Sequence, residues 1–185
     1  MHPSVLARAR SGDAEALDAL VRTYHDRVYR FGLRVCRNAF DADDVVQEAF
    51  IKLARRPDVA ADPGVLSWLM SVVRNGCARL LRPFLRPRSH LADHDTELDA
   101  IPADAESPQA ALERWQLVRA VHAAIACLDA PYREVIILRD LEGLSGAEAS
   151  EALGIAEVAM KTRLHRARRM LREQLEADLR SPIGG

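Results

Sequence analysis

The chain has 185 residues, room for one medium domain or two small helical ones. Apolar residues make up 49% and aromatics only 5%, with Ala and Leu abundant. That mixture favours helix over strand, because Ala and Leu lose least on entering a helix. Net charge is -1 at neutral pH, so bulk electrostatics points to neither a nucleic-acid nor a basic partner. The distribution of charge along the chain carries the information instead.

From Asp13 to Asn38, Leu17, Leu20, Val21, Tyr24, Val28, Phe31 and Val35 recur at three- and four-residue steps, which predicts one long helix. A second helix follows, with Val45, Val46, Ala49, Phe50 and Leu53 on one face and Asp44, Gln47, Glu48 and Lys52 on others. Pro57 to Gly64 reads as a loop. A third helix is predicted from about Val65 to Arg82, with Leu66, Leu69, Val72, Val73, Cys77 and Leu80 as its stripe. Pro83 and Pro87 end it. Ser89 to Gln109 holds six acidic residues, no Lys or Arg, and no helical periodicity. We read it as a flexible acidic linker. The predicted division is therefore 1–88, a linker 89–109, and 110–185, an all-α chain of two small helical domains.

Ser107-Pro108 opens the second domain as a cap followed by Pro at the first helical position. Leu112, Trp115, Val118, Val121, His122, Ile125 and Leu128 are expected to line one inward face. Pro131 starts another helix and Gly143 stops it. Ser145-Gly146-Ala147-Glu148 fits a capping box, in which serine hydroxyl and glutamate carboxylate satisfy each other's backbone N–H groups. Gly154 sits where the chain turns sharply, and a helix begins near Glu157. Helix, tight turn and helix make a helix-turn-helix.

At about 100° per residue, Met160, Leu164, Ala167 and Leu171 of the last helix face the core. Lys161, Thr162, His165, Arg166, Arg169 and Arg172 spread over the opposite side, with Arg163 and Arg168 at the seam. Only Glu157 and Glu173 are available for pairing along the helix. A core-packed helix with such a face suits the major groove, where its N-terminal half reaches base edges and the rest binds phosphate. Four to six phosphate contacts would give a salt slope of roughly −4 to −5.

Cys36, Cys77 and Cys127 are far apart and odd in number, and each is expected to pack as a small hydrophobe. His90 and His94 lie in the linker without a cysteine framework, so neither metal nor cofactor is expected. There is no Gly-rich phosphate loop, and Gly143-Leu144-Ser145-Gly146 lacks the spacing of a nucleophile elbow, so an enzyme is not expected. No signal peptide or membrane-length apolar run is seen, which predicts a cytoplasmic protein without membrane insertion.

The stretches Tyr132-Arg133-Glu134-Val135, Leu138-Arg139, Glu142-Gly143-Leu144-Ser145, Leu153-Gly154-Ile155 and Lys161 to Arg168 closely resemble region 4 of the extracytoplasmic-function (ECF) group of bacterial sigma factors. Asp43 to Phe50, Ser67-Trp68-Leu69 and Arg74-Asn75 resemble region 2 of the same group. Order and separation match too, over Asp13 to Leu175. The resemblance implies roles. Asp44, Gln47 and Glu48 would bind the β′ clamp helices of RNA polymerase, and region 4 the β flap. The Pro57–Gly64 loop and following helix would read the −10 element, where a base is flipped from the non-template strand at a cost of a few kcal/mol. Trp68, Arg74 and Asn75 are candidates there, with Arg79, Arg82, Arg86 and Arg88 on phosphates. Lys161, Thr162, Arg163, His165, Arg166 and Arg169 would read the −35 element. An anti-sigma factor, which would also be able to hold the chain at the membrane, and a stress- or signal-responsive role are implied as well.

The chain departs from the family pattern at Asp129, Ala149, Ser150 and Met160, and its −10 loop lacks aromatics before Ser67-Trp68. Two other readings stand beside the sigma one. A two-domain helix-turn-helix regulator would need a βα sensory domain, for which the N-terminal half shows no alternation. A helical protein that sequesters a partner would leave the basic face unexplained.

Overall fold

The computed structural model describes residues 5–55, 64–81 and 108–180. Among them every regular element is helical. In chain order these are α1 (Val5–Arg10), α2 (Ala14–Cys36), α3 (Ala39–Arg55), α4 (Val65–Leu81), α5 (Pro108–Cys127), α6 (Ala130–Ile136), α7 (Gly146–Leu153) and α8 (Glu157–Arg180). A π-helical stretch, Ile137–Leu141, continues α6. The −10 loop from 57 to 63, Arg82, Arg86, Arg88 and the acidic linker from 89 to 107 lie outside the described residues.

The local chemistry explains the boundaries. Asp13 caps α2, its carboxylate accepting from the N–H groups of Glu15 and Ala16. Arg37, in the left-handed region at φ 59°, ends it. Asn38 Oδ1 accepts from Phe40 N at 2.9 Å and starts α3 one turn later. The short α1 had no counterpart in the sequence reading. It buries Leu6 and Ala9 against α2.

Helices α2, α3 and α4 pack mutually around Val28, Phe31, Val46, Leu53, Leu69 and Val73. The approach is close at two glycines. A Cβ on Gly76 would lie 2.8 Å from Val45 Cγ1, and one on Gly32 would lie 3.1 Å from Val46 Cγ2. Cys36 and Cys77, both buried, are joined by a disulfide that ties the end of α2 to α4. This corrects the expectation of three independent cysteines. Cys127 departs from it differently, being exposed at the end of α5. The bridge closes a loop with a sequence separation of 41. Reduction should lower the unfolding free energy by about 2–4 kcal/mol. Denaturant titration with and without a thiol reductant checks this, and a Cys36→Ala/Cys77→Ala variant should ignore the reductant.

In the second group, α6 and α7 pack on α8, with Val135, Ile136, Leu138, Leu153, Met160, Leu164 and Ala167 buried. Only the C-terminal end of α5 joins this core, through Ala124, Ile125 and Leu128. Leu112 and Trp115, expected to face inward, are exposed. The Arg119 guanidinium covers the Trp115 ring at 4.6 Å instead. Helical periodicity marked an apolar stripe, but among the described residues no neighbouring helix covers its first half.

The two groups are in direct contact. Helix α7 packs against α4, and α6 touches α2.

Candidate nucleic-acid interface

The helix-turn-helix forms from local determinants. Ser145 Oγ accepts from Glu148 N at 3.2 Å, and Ser145 N donates to Glu148 Oε2 at 2.7 Å. These bonds hold the Glu148 carboxyl below the usual carboxylate range. Gly154 closes α7 at φ 64°, a conformation that costs glycine no steric clash. The Ile155 N–H then bonds back to Ser150 O at 3.1 Å, and its side chain packs on the core. So α8 leaves the turn with Met160, Leu164 and Ala167 buried, as its periodicity predicts.

Its outer face carries the nominated residues. Lys161, Thr162, His165, Arg166 and Arg169 are exposed, and Arg163 is half-buried at the seam. Their charge is more engaged than the sequence suggested. Lys161 Nζ pairs with Glu157 at 2.8 Å, and Arg169 Nε lies 3.6 Å from Glu173. Arg168 clamps both carboxylate oxygens of Asp140, at 3.0 and 2.5 Å, which raises its pKa. Arg163, His165, Arg166 and Arg172 have no side-chain partner among the described residues. Exposed ion pairs are worth at most about 1 kcal/mol, so Lys161 and Arg169 remain exchangeable for phosphate. Sequence reading passed over Val158, which is exposed on the same face.

The α4 residues fare differently. Trp68 packs against the core. Ser67 beside it is buried, and its single hydroxyl proton is shared between Gly64 O at 3.0 Å and Glu151 Oε2 of α7 at 2.8 Å. Arg74 Nε donates to Glu134 Oε2 at 2.7 Å, so this −10 candidate is tied to α6. Asn75 is exposed, and Arg79 Nη2 reaches Glu48 Oε2 at 2.7 Å. Arg74 and Asn75 thus lie on one stretch of α4, while Trp68 packs inward and the loop expected to complete a base pocket lies outside the described residues.

On α3, Asp44 and Gln47 are exposed, while Glu48 is bound by both Lys52 and Arg79. Those hydrogen bonds hold the Glu48 carboxyl below its ordinary value. Phe40, 85% exposed, and Ile51 flank Asp44 and Gln47 within an arc of about 60°. Sequence reading missed both, although the helical count would have placed them there.

A third feature was not legible at all. Glu142, just before the helix-turn-helix, is buried between two arginines of α2. Arg34 Nη1 lies 2.9 Å from its Oε1, Arg27 Nε 3.6 Å from its Oε2, and Arg27 Nη2 donates to its carbonyl at 2.6 Å. Half-buried His122 on α5 has its pKa lowered by burial and then by Arg34, so it stays neutral beside this cluster.

No helix among the described residues is long and apolar enough to cross a membrane. Comparison with known proteins gives these surfaces a context. Residues 20–83 match the family model for sigma-70 region 2, and residues 118–171 match that for sigma-70 region 4. SigE of Mycolicibacterium smegmatis, an ECF RNA polymerase sigma factor, is 33% identical over 89% of this chain and 65% of its own length. SigW of Bacillus subtilis, another, is 30% identical over 92% of this chain and 94% of its own. Among solved structures, CnrH in complex with the cytosolic domain of CnrY superposes with a TM-score of 0.67 at 28% identity, covering 94% of this chain and 96% of that one. Two family models in the right order and near-complete alignment with SigW leave one assignment: the chain belongs to the ECF RNA polymerase sigma factors.

Proposed function

We propose that this chain directs core RNA polymerase to specific promoters, as a transcription initiation factor and not as a catalyst. Residues 1–88 form the unit that binds polymerase and the −10 element, 89–109 the linker, and 110–185 the unit that reads the −35 element. One observation carries the reading. Helix α8 is buried along one side and presents His165, Arg166 and Arg172 on the other, with Arg163 at the seam, none of them with a side-chain partner among the described residues. Unpaired cations on a rigid helix match a polyanionic groove. Asp44 and Gln47, with Glu48 beside them, are the polymerase contacts. Arg74, Asn75, Arg79 and Arg82 serve the −10 element, and Trp68 supports them from the core. The protein acts in the cytoplasm, and an anti-sigma factor holds it inactive, with membrane tethering available through that partner.

The test is transcription in vitro with core polymerase and a pool of promoter fragments. Initiation from a subset of fragments, dependent on this chain, is the expected result. Replacing Arg166 with alanine should change −35 preference, at about 1–3 kcal/mol for a lost base contact. Binding to duplex DNA with no need for polymerase would favour a stand-alone regulator instead.

A further inference from the structure

The outer face of α8 begins with an apolar side chain. Val158 stands on the first turn and is 77% exposed. Single exposed apolar residues are common on protein surfaces, so exposure alone says little. Position says more. Lys161, Thr162, His165 and Arg169 follow Val158 at three, four, seven and eleven residues, which places all five on one face. Val158 is therefore the leading element of the surface that enters the groove.

The polar groups around it are already engaged. Thr162 Oγ1 donates to the Val158 carbonyl at 3.0 Å, which uses its only proton. Lys161 is paired with Glu157 at 2.8 Å. Ala156 and Ala159, both exposed, are the other small residues of this tip. The tip of the helix thus offers mainly methyl groups, and its strong unpaired donors begin only at Arg163, His165 and Arg166.

In the major groove, thymine is the one base whose edge carries an apolar group, the 5-methyl. We infer that Val158, with Thr162 beside it, reads a thymine of the −35 element through that methyl group. This deepens the promoter-reading function proposed above and rests on it. Val158 removes about one methyl group's worth of apolar surface from water at a thymine and gains nothing at a cytosine. It selects that thymine, while the arginines behind it contact phosphates and other bases.

The experiment uses the full chain bound to core polymerase and a duplex pool randomised across the −35 segment. Each thymine of the selected element is then replaced by deoxyuridine, which deletes only the methyl group. With the wild-type chain, one thymine should lose about 4-fold in binding on replacement, as for one buried methylene-sized group. With Val158→Ala, the loss on deoxyuridine replacement at that position should shrink to well below about 2-fold. The variant should fold normally, because Val158 is exposed and alanine is the better helix former. Arg166→Ala should bind more weakly overall yet keep the methyl effect. A selected element without thymine, neutral replacement at every thymine, or a Val158→Ala chain that keeps full methyl sensitivity would each overturn the inference and leave promoter reading intact. A holoenzyme that selects no −35 sequence at all would overturn both.

Discussion

Replacing Glu142 with alanine should separate the two helical groups. The Glu142 side chain is only 5% exposed and is the shared acceptor for Arg27 and Arg34. Arg34 is itself largely buried, and desolvation already lowers its pKa. Removing one partner of a buried pair leaves an uncompensated charge, at about 3–5 kcal/mol. Arg27 is more exposed and rehydrates easily, so the lower end of that range applies. The chain has a cheap way to relieve the penalty, which is to open. The remaining links between the groups are softer. They are the Arg27 bond to the backbone carbonyl of residue 142, the Ser67–Glu151 hydrogen bond, the Arg74–Glu134 pair, and the α2–α6 and α4–α7 packing. Small-angle scattering should therefore show a larger radius of gyration for Glu142→Ala than for wild type, with each group's helicity retained. An unchanged radius would show that apolar packing alone holds the groups together. The closed arrangement also engages Ser67 and Arg74 of α4, so opening should free residues assigned to the −10 element. An open variant is then expected to release Arg74 from Glu134, which should show as stronger −10 DNA binding in the holoenzyme.

What the sequence disclosed and what it hid follow from the range of the interactions. The helix-turn-helix was legible because its determinants are local. Ser145 and Glu148 are three residues apart, and Gly154 acts through its own φ. The buried face of α8 was legible for the same reason, since periodicity alone selects Met160, Leu164 and Ala167. Where a tertiary partner decides, the reading failed. The Leu112 and Trp115 stripe looked like core, but no neighbour among the described residues covers it. Cys36 and Cys77 looked unrelated, because only the packing of α2 on α4 brings them together. Nothing local marks Arg27 and Arg34, because their acceptor Glu142 lies more than a hundred residues away. Helix α1 is six residues long, too short for a period to register. Trp68 was nominated for the −10 site from a motif, and only tertiary packing shows it lying against the core.

The polymerase-facing surface proposed on α3 allows a cleaner test than the family motif suggests, and Asp44 is the residue to use. Glu48 belongs to the same motif, but reversing its charge would also break its links to Lys52 and Arg79. Loss of binding would then be ambiguous between a missing contact and a disturbed α3–α4 surface. Asp44 is exposed, with no side-chain partner among the described residues. Asp44→Arg should therefore leave unfolding within about 0.5 kcal/mol of wild type. Against a basic partner surface the same change replaces attraction by repulsion. Opposed charges at an interface are worth about 2–5 kcal/mol when one is disrupted, so core polymerase affinity should fall at least about 30-fold. Phe40 and Ile51 sharpen the comparison, because they flank Asp44 on the same exposed face. If the stripe works as a unit, Phe40→Ala should weaken binding as well, without any change of charge. Equilibrium binding to core polymerase measures both. Full affinity in Asp44→Arg would move the polymerase face off α3. A loss in Asp44→Arg alone, with Phe40→Ala unaffected, would make that face purely electrostatic and its affinity steeply dependent on salt.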